Sequence, residues 1–234
     1  SSDLLDEIAK ISNPKQLMLT IANLHNQSVP ALFRFGIGID QHNATQHLAN
    51  VDQGGLTLPD RDYYLKDDAK SVETREKYLA HVQKMFELLG ENSEQATKDS
   101  KTVMDIETQL AKAAMDRVMR RDPKNSDHIV PVSELLSTAP NFDFAGFFPA
   151  TGVAKFDRIN IGNPDFFKTV NPLITSVPLD DWKTYLRWKV LSDAAPWLSK
   201  PFFDENFEFS GRYMSGAKEP EVRWKRCTRL TNDE

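Results

Sequence analysis

The residues best placed for chemistry are two carboxylates on either side of an arginine, namely Asp60, Arg61 and Asp62. Paired acidic side chains are typical of general acid–base catalysis, in which one group gives and another takes a proton. The same residues can serve the fold instead. Asp60 follows Pro59, where it is well placed to cap a short helix, and its two neighbours can pair with backbone or with nearby charges. We favour the structural interpretation.

The histidines and the cysteine do not form a recognisable metal site. A zinc peptidase would show His-Glu-x-x-His, which places two imidazoles one helical turn apart, and this motif does not occur. His42 and His47 are five residues apart in a predicted turn and strand, and we expect surface roles for both. Cys227 is alone, so neither an internal disulfide nor a cysteine zinc site can form. We expect no catalytic residue, metal or other cofactor in this chain.

The stretch Arg223, Trp224, Lys225 and Arg226 is basic and aromatic, a combination that can hold nucleic acid phosphates. The whole chain, however, has a net charge of -5, which argues against a nucleic acid partner. We therefore predict a solvated or interdomain face here, with these four residues as the candidate interdomain contact. No apolar run approaches the roughly 20 residues of a membrane span, so we expect no membrane segment. The sequence begins without methionine, and we expect both of its ends to be cuts.

The elements that position these residues are predicted to be mostly helices. Apolar residues recur at helical spacing over residues 3–11, 15–24, 72–89 and 181–191. A long helix is predicted from Ser93 to just before Asp122, with Val118 on its inward face. It should form an antiparallel helical hairpin with the helix over 72–89.

Strand periodicity is confined to one region. Apolar residues alternate with other residues between Phe33 and Ile39, which is the two-residue period of a half-buried strand. Leu48, Val51 and their neighbours fit an antiparallel partner. The predicted fold class is therefore mainly α, a multi-helix lobe with one small β-hairpin over about residues 33–52.

The segment that leaves this hairpin is unlike an ordinary helix or strand. Two adjacent glycines usually indicate positive backbone angles, or backbone pressed against another part of the chain. This segment could be a catalytic loop, a ligand cradle or a rigid corner. Its candidate residues are Asp52, Gln53, Gly54, Gly55, Leu58, Pro59, Asp60, Arg61, Asp62, Tyr63 and Tyr64.

The stretch DQGGLTLPDRDYYL, which spans these residues, resembles the signature of the N-terminal region of the neprilysin-like (M13) zinc metallopeptidases. Residues 105–123, DIETQLAKAAMDRVMRRDP, resemble the long helix of that family and its exit. Residues 182–227, from WKTYLRWKV to EVRWKRC, resemble the stretch ahead of the catalytic half. The matches cover most of the chain in the family's order.

The resemblance implies a fold of two largely helical lobes around an internal chamber. The N-terminal lobe would limit entry to peptides and small proteins, and residues 1–234 would supply most of it. The zinc ligands of the family lie further toward the C-terminus, so zinc is expected in the full-length enzyme and not in this chain. The implied partners are the C-terminal catalytic half and peptide substrates, and the implied location is extracytoplasmic, secreted or periplasmic.

Two further expectations follow from the resemblance, and one alternative to it stays open. Gly54-Gly55 and Leu58-Pro59 should form a rigid corner with both tyrosines packed inside. The lone cysteine suggests a bacterial-type relative. The alternative to a fragment of a peptidase is a standalone peptide-binding or inhibitory helical module.

The segment over residues 182–224 should also leave a large apolar surface, because it carries more aromatic rings than short helices bury among themselves. These rings are Trp188, Trp197, Phe202, Phe203, Phe207 and Phe209.

Overall fold

The computed structural model describes residues 2–222, 224, 225 and 228, and helices form most of it. The helices are α1 (Ser2–Ala9), α2 (Pro14–Asn26), α3 (Asp62–Leu65), α4 (Ala69–Leu88), α5 (Ser93–Ala113), α6 (Arg117–Arg120), α7 (Val132–Thr138), α8 (Phe144–Ala150), α9 (Pro164–Val170), α10 (Leu173–Ser176), α11 (Leu179–Ala194) and α12 (Lys200–Asn206). A π-helix, Phe207–Met214, follows α12 directly. The predicted mainly α class is confirmed. In the described ranges no helix is both long and apolar enough to cross a membrane.

The predicted hairpin is confirmed, and it belongs to a larger sheet. Strand β1 (Phe33–Asp40) pairs antiparallel with β2 (Asn43–Gln53). Two short strands, β3 (Ile129–Pro131) and β4 (Arg158–Ile161), extend the sheet in the order β1-β2-β4-β3, and β4 runs parallel to β2. Strands of three and four residues are too short to show a two-residue period, so only the tertiary structure reveals them.

The buried residues form two hydrophobic cores, and helices α5 and α11 contribute to both. The first core joins the sheet to α1, α2 and the phenylalanine-rich α8 and α9. The second core lies between α4, α5 and the π-helix. Helix α11 contributes Trp182 and Tyr185 to the first core and Trp188 to the second, and all three are fully buried. A helix that is apolar on more than one side has to lie inside the molecule, which is the position of α11.

The long helix ends earlier than the sequence predicts. Helix α5 stops at Ala113, Ala114 is extended, and Val118 lies on the short helix α6 with 75% of its surface exposed. The physical reason is the side chain of Gln53, whose Oε1 accepts the backbone N–H of Met115 and whose Nε2 donates to the Met115 carbonyl. Because these bonds satisfy groups that would otherwise continue the helix, the chain turns away.

The expected apolar surface at residues 182–224 is smaller than predicted. Trp188 and Phe209 are buried in the second core, because α4 and α5 fold over them. Trp197 is 52% exposed and Trp224 is 66% exposed. The remaining three rings of that prediction are half-buried, namely Phe202, Phe203 and Phe207. Among the predicted interdomain residues, Arg223 and Arg226 lie outside the described residues, as does Cys227.

Candidate functional site

The two glycines after β2 lie where the chain approaches other parts of the molecule too closely for a side chain. A Cβ on Gly54 would lie 2.9 Å from the backbone carbon of Phe33. Gly55 has φ +81°, and a Cβ there would lie 2.7 Å from the Tyr185 hydroxyl oxygen and 2.8 Å from the Leu32 carbonyl oxygen. The positive backbone angle and the close approach that adjacent glycines indicate are therefore both present at Gly55. We call residues 52–64 the corner segment.

The hydroxyl of Tyr185 connects the two ends of the hairpin. It donates to the Gly55 carbonyl at 2.9 Å and accepts the Leu32 N–H at 3.0 Å. Burial of this side chain raises the pKa of Tyr185 well above its ordinary value, with a further contribution from the charge of Glu107. The hydroxyl therefore stays protonated and able to donate, which fixes the exit of the hairpin against its entrance.

A second set of hydrogen bonds centres on Glu107, a fully buried carboxylate on α5. Its oxygens accept from the hydroxyls of Thr57 at 2.6 Å, Tyr64 at 2.6 Å and Tyr78 at 2.8 Å. The Tyr64 hydroxyl also accepts the N–H of Leu58 at 2.9 Å. A carboxylate with three hydroxyl donors is well satisfied, and here it connects the corner segment to α4 and α5.

The charge of Glu107 faces a buried lysine on α11. Lys189 Nζ lies 3.8 Å from Glu107 Oε1 and 3.1 Å from the Thr57 hydroxyl. Burial lowers the pKa of Lys189, while the nearby negative charge of Glu107 acts in the opposite direction. Burial also raises the pKa values of Tyr64 and Tyr78, and the charge of Glu107 adds to both shifts. These groups are inaccessible to a substrate, so their chemistry is to hold the two cores together.

Sequence reasoning missed this buried network, although one signal pointed to it. Glu107 lies four residues after Val103 and three before Leu110, both of which are on the buried face of α5. A charge on the apolar face of a helix needs partners from another element. Its partners come from residues far away in the sequence, which periodicity does not reveal.

The predicted acid–base triplet is bound to other parts of the chain. Asp60 Oδ1 accepts the Asp62 N–H at 2.9 Å, and its Oδ2 lies 2.7 Å from Arg117 Nε. Asp62 pairs with Lys66 at 2.6 Å, and Arg61 donates to the carbonyl of Ala114. The Asp60 side chain thus closes a turn just ahead of α3, but the N-cap residue of α3 is Arg61, so the predicted capping role of Asp60 is wrong. The three side chains have different partners, and the geometry supports structural roles.

The two ends of the corner segment are also fixed. Asp52 forms an ion pair with Arg120 at 2.6 Å, and Gln53 Oε1 accepts from Asn163 Nδ2 at 2.8 Å in addition to its bonds with Met115.

At the other end of the corner segment, Leu58 and Tyr64 are buried in the second core, Tyr63 is half-buried against it, and Pro59 is exposed. These contacts make the corner segment a joint between the sheet and the helices.

The predicted surface histidines are separated from this site. His42 Nε2 lies 2.7 Å from Asp127 Oδ2 at the tip of the hairpin, and His47 is exposed on β2. Throughout the part of the chain that the structure describes, no group of three His, Cys, Asp or Glu residues could hold a metal ion. The zinc that the resemblance implies therefore does not fit these residues, and no step of a zinc-dependent reaction is assigned to them.

The corner segment also lines a cavity of about 410 Å³. Arg34, Arg61, Arg117 and Arg120 are part of its wall. Asp60 lines the cavity as well, so four positive charges meet one negative charge there, in a chain with a net charge of -5.

Comparison with known proteins identifies the family. The model of the N-terminal region of peptidase family M13 matches residues 1–234, the whole sequence. The chain belongs to peptidase family M13. The resemblance seen in the corner segment, in α5 and in the region from α11 onward is thereby confirmed.

Relatives within the M13 family are considerably longer than this chain. Neprilysin-3 of Drosophila melanogaster is 28% identical over 226 residues, which cover 92% of this chain and 29% of that protein. Endothelin-converting enzyme 1 of Homo sapiens is 28% identical over 222 residues, covering 92% of this chain and 28% of its own length. The cryo-EM structure of the zinc metalloprotease Zmp1 of Mycobacterium tuberculosis in its open state superposes with a TM-score of 0.94 at 29% identity, covering 99% of this chain and 36% of that one. The chain thus spans about a third of the length of these M13 proteins.

Proposed function

We propose that this chain is the substrate-gating part of a zinc metalloendopeptidase that hydrolyses small peptides or proteins. The match of the M13 family model to the whole chain carries the proposal. Zmp1, which has the same fold over this region, is a zinc metalloprotease. The sequence contains no His-Glu-x-x-His, so the proposal places the catalytic zinc site in the part of the protein outside this chain.

A gating role requires a wall of fixed shape, and the contacts of the corner segment support one. Glu107 and Tyr185 connect the hairpin to α4, α5 and α11 through buried hydrogen bonds. Such fully satisfied buried networks rigidify the elements that they join. Because the corner segment lies between the two cores, bending there would break bonds on both sides. The sheet and the helices would therefore move as one body when a substrate enters.

The exposed aromatic residues near the end of the chain suit a contact with the catalytic half. Trp197 and Trp224 are more than half exposed, and Lys225 Nζ lies 5.6 Å from the centre of the Trp224 ring. Burying apolar surface is worth roughly 25 cal/mol per Å². Covering both indole rings in an interface would thus contribute a few kcal/mol to the association of the two parts.

The proposal is tested by producing this chain and the remainder of the protein separately. We expect this chain alone to cleave no peptide and to bind no stoichiometric zinc in calorimetry. Mixing it with the other part should raise its melting temperature and restore cleavage. A chain that stays monomeric, is fully stable and ignores the added part would contradict the proposal and favour a standalone peptide-binding or inhibitory module.

A matched pair of variants locates the contact. Trp197→Ala should weaken association of the two parts, whereas Ile39→Ala, at a residue 64% exposed on the edge strand β1, should not. Equal effects of the two variants would show that the surface around Trp197 is not the interface.

We also propose an extracytoplasmic location, which rests on the resemblance to the family alone. Fractionation of cells that make the full-length protein tests it.

A further inference from the structure

We propose that the cavity beside the corner segment binds a carboxylate group of an acidic peptide. The cavity of about 410 Å³ is lined by residues 53–59 of the corner segment and by Ala114 and Met115. Its size falls in the range of about 300–1,000 Å³ that is typical of ligand sites. The corner segment that shapes it is held by the buried bonds of Glu107 and Tyr185, so the wall exists before a ligand arrives.

Four arginines line this cavity, and their partners differ. Arg117 pairs with Asp60, and Arg120 pairs with Asp52. Arg61 is fixed by a hydrogen bond to the Ala114 carbonyl, a neutral group. Neither Arg61 nor Arg34 has a carboxylate partner among the residues that the structure describes. Asp60, the partner of Arg117, also lines the cavity, so the wall carries four guanidinium charges against one carboxylate and is net positive.

The chemistry of these side chains favours an oxyanion, and a peptide supplies it as a carboxylate. A guanidinium presents a planar set of N–H donors that matches the two oxygens of a carboxylate, and this match is better than that of a lysine ammonium. All four cations that line the cavity are arginines. The surrounding chain is acidic overall, so the cavity is a local positive region that attracts anions from solution.

The choice of a peptide as the source of the carboxylate rests on the proposed function. A peptide can supply the group in two ways, from a Glu or Asp side chain or from its C-terminus. Arg34 lies on β1 beside Phe35, and it also borders a second, neighbouring cavity of about 320 Å³. A chain of several residues could therefore extend from the arginines along the start of β1.

Binding is measured with the full-length protein after its metal is removed by a chelator, so that peptides remain intact. The probes are fluorescently labelled peptides in pairs that differ only by Glu against Gln, or by a free against an amidated C-terminus. We expect the acidic member of one pair to bind about three- to tenfold more tightly, and added salt to reduce this preference. The pair that shows the preference identifies the source of the carboxylate.

Variants assign the preference to the cavity. Arg34→Gln should abolish the discrimination, and Arg34→Lys should restore part of it, because the charge returns without the planar donors. The control Arg158→Gln removes another exposed arginine, which lies outside the cavity on β4, and the preference should survive it. Equal preference in Arg34→Gln and Arg158→Gln would overturn the proposal.

Two further outcomes separate this proposal from its alternatives. If Arg34→Gln instead weakens association between this chain and the rest of the protein, the cavity is a docking site for that part, and the peptide assignment is wrong. If the zinc-loaded protein cleaves no peptide while the acidic preference persists, the proposed peptidase function fails and the carboxylate site stands. Binding and cleavage are measured separately for this reason.

Discussion

Replacing Gly55 with alanine should destabilise the chain by about 2–5 kcal/mol, because two separate costs fall on one residue. The first is conformational. Gly55 has φ +81°, a backbone angle at which a Cβ costs about 1–2 kcal/mol. The second is steric, since the new Cβ would lie 2.7 Å from the Tyr185 hydroxyl oxygen and 2.8 Å from Leu110 Cδ1. Overpacking of this kind typically costs about 1–3 kcal/mol.

Two other glycines separate these costs. Gly152 has φ +72° with nothing within 4 Å of a built Cβ, so Gly152→Ala carries the conformational cost alone. A Cβ on Gly54 would lie 2.9 Å from the Phe33 backbone, and Gly54 has no positive φ. Gly54→Ala therefore carries the steric cost alone. The effect of Gly55→Ala should approach the sum of the other two.

Urea unfolding followed by circular dichroism gives the three free energies of unfolding. The measurement also reports on the mechanism, because the Cβ of an alanine at residue 55 displaces the hydroxyl that bonds the Gly55 carbonyl and the Leu32 N–H. If Gly55→Ala and Gly152→Ala differ by less than about 0.5 kcal/mol, the close approach at Gly55 has no energetic weight. The description of residues 52–64 as a rigid joint would then be refuted.

Two more predictions concern the buried polar groups. Glu107→Gln should lower the free energy of unfolding by about 3 kcal/mol, because the amide cannot accept all three hydroxyl bonds and removes the negative charge nearest the buried Lys189. Glu76→Gln, on the exposed face of α4, should leave the urea midpoint unchanged. The second prediction concerns alkaline pH. Burial raises the folded-state pKa values of three tyrosines above the ordinary value of about 10, so the stability that they contribute is complete below that pH and is lost as the pH rises through the raised values. The three tyrosines are Tyr64, Tyr78 and Tyr185. Their tyrosinate absorbance should appear only as the circular dichroism signal disappears. Tyrosinate absorbance from these residues in the folded chain would contradict their burial.

Much of the fold could be predicted from local patterns. The helical spacing of apolar residues identified α4, α11 and most of α5, and the alternation after Phe33 identified the hairpin. Both patterns report which face of an element is buried, and that information lies within a few neighbouring residues. The adjacent glycines indicated a special backbone at the corner, and Gly55 has it. The order of three sequence stretches also indicated the family.

What the sequence determined by itself was therefore the long helices, the hairpin, their buried faces and the family to which the chain belongs. Only the tertiary structure decided where α5 ends, because Gln53 bonds the backbone of Met115, 62 residues away along the chain and just past the end of the helix. It also decided the partners of Glu107, which lie 50, 43 and 29 residues away along the chain. The gathering of four arginines around one cavity was decided in the same way. Hydrogen bonds and charges act over a few ångströms in space, whereas periodicity records only position along the chain, so side chains brought together by folding leave no local pattern.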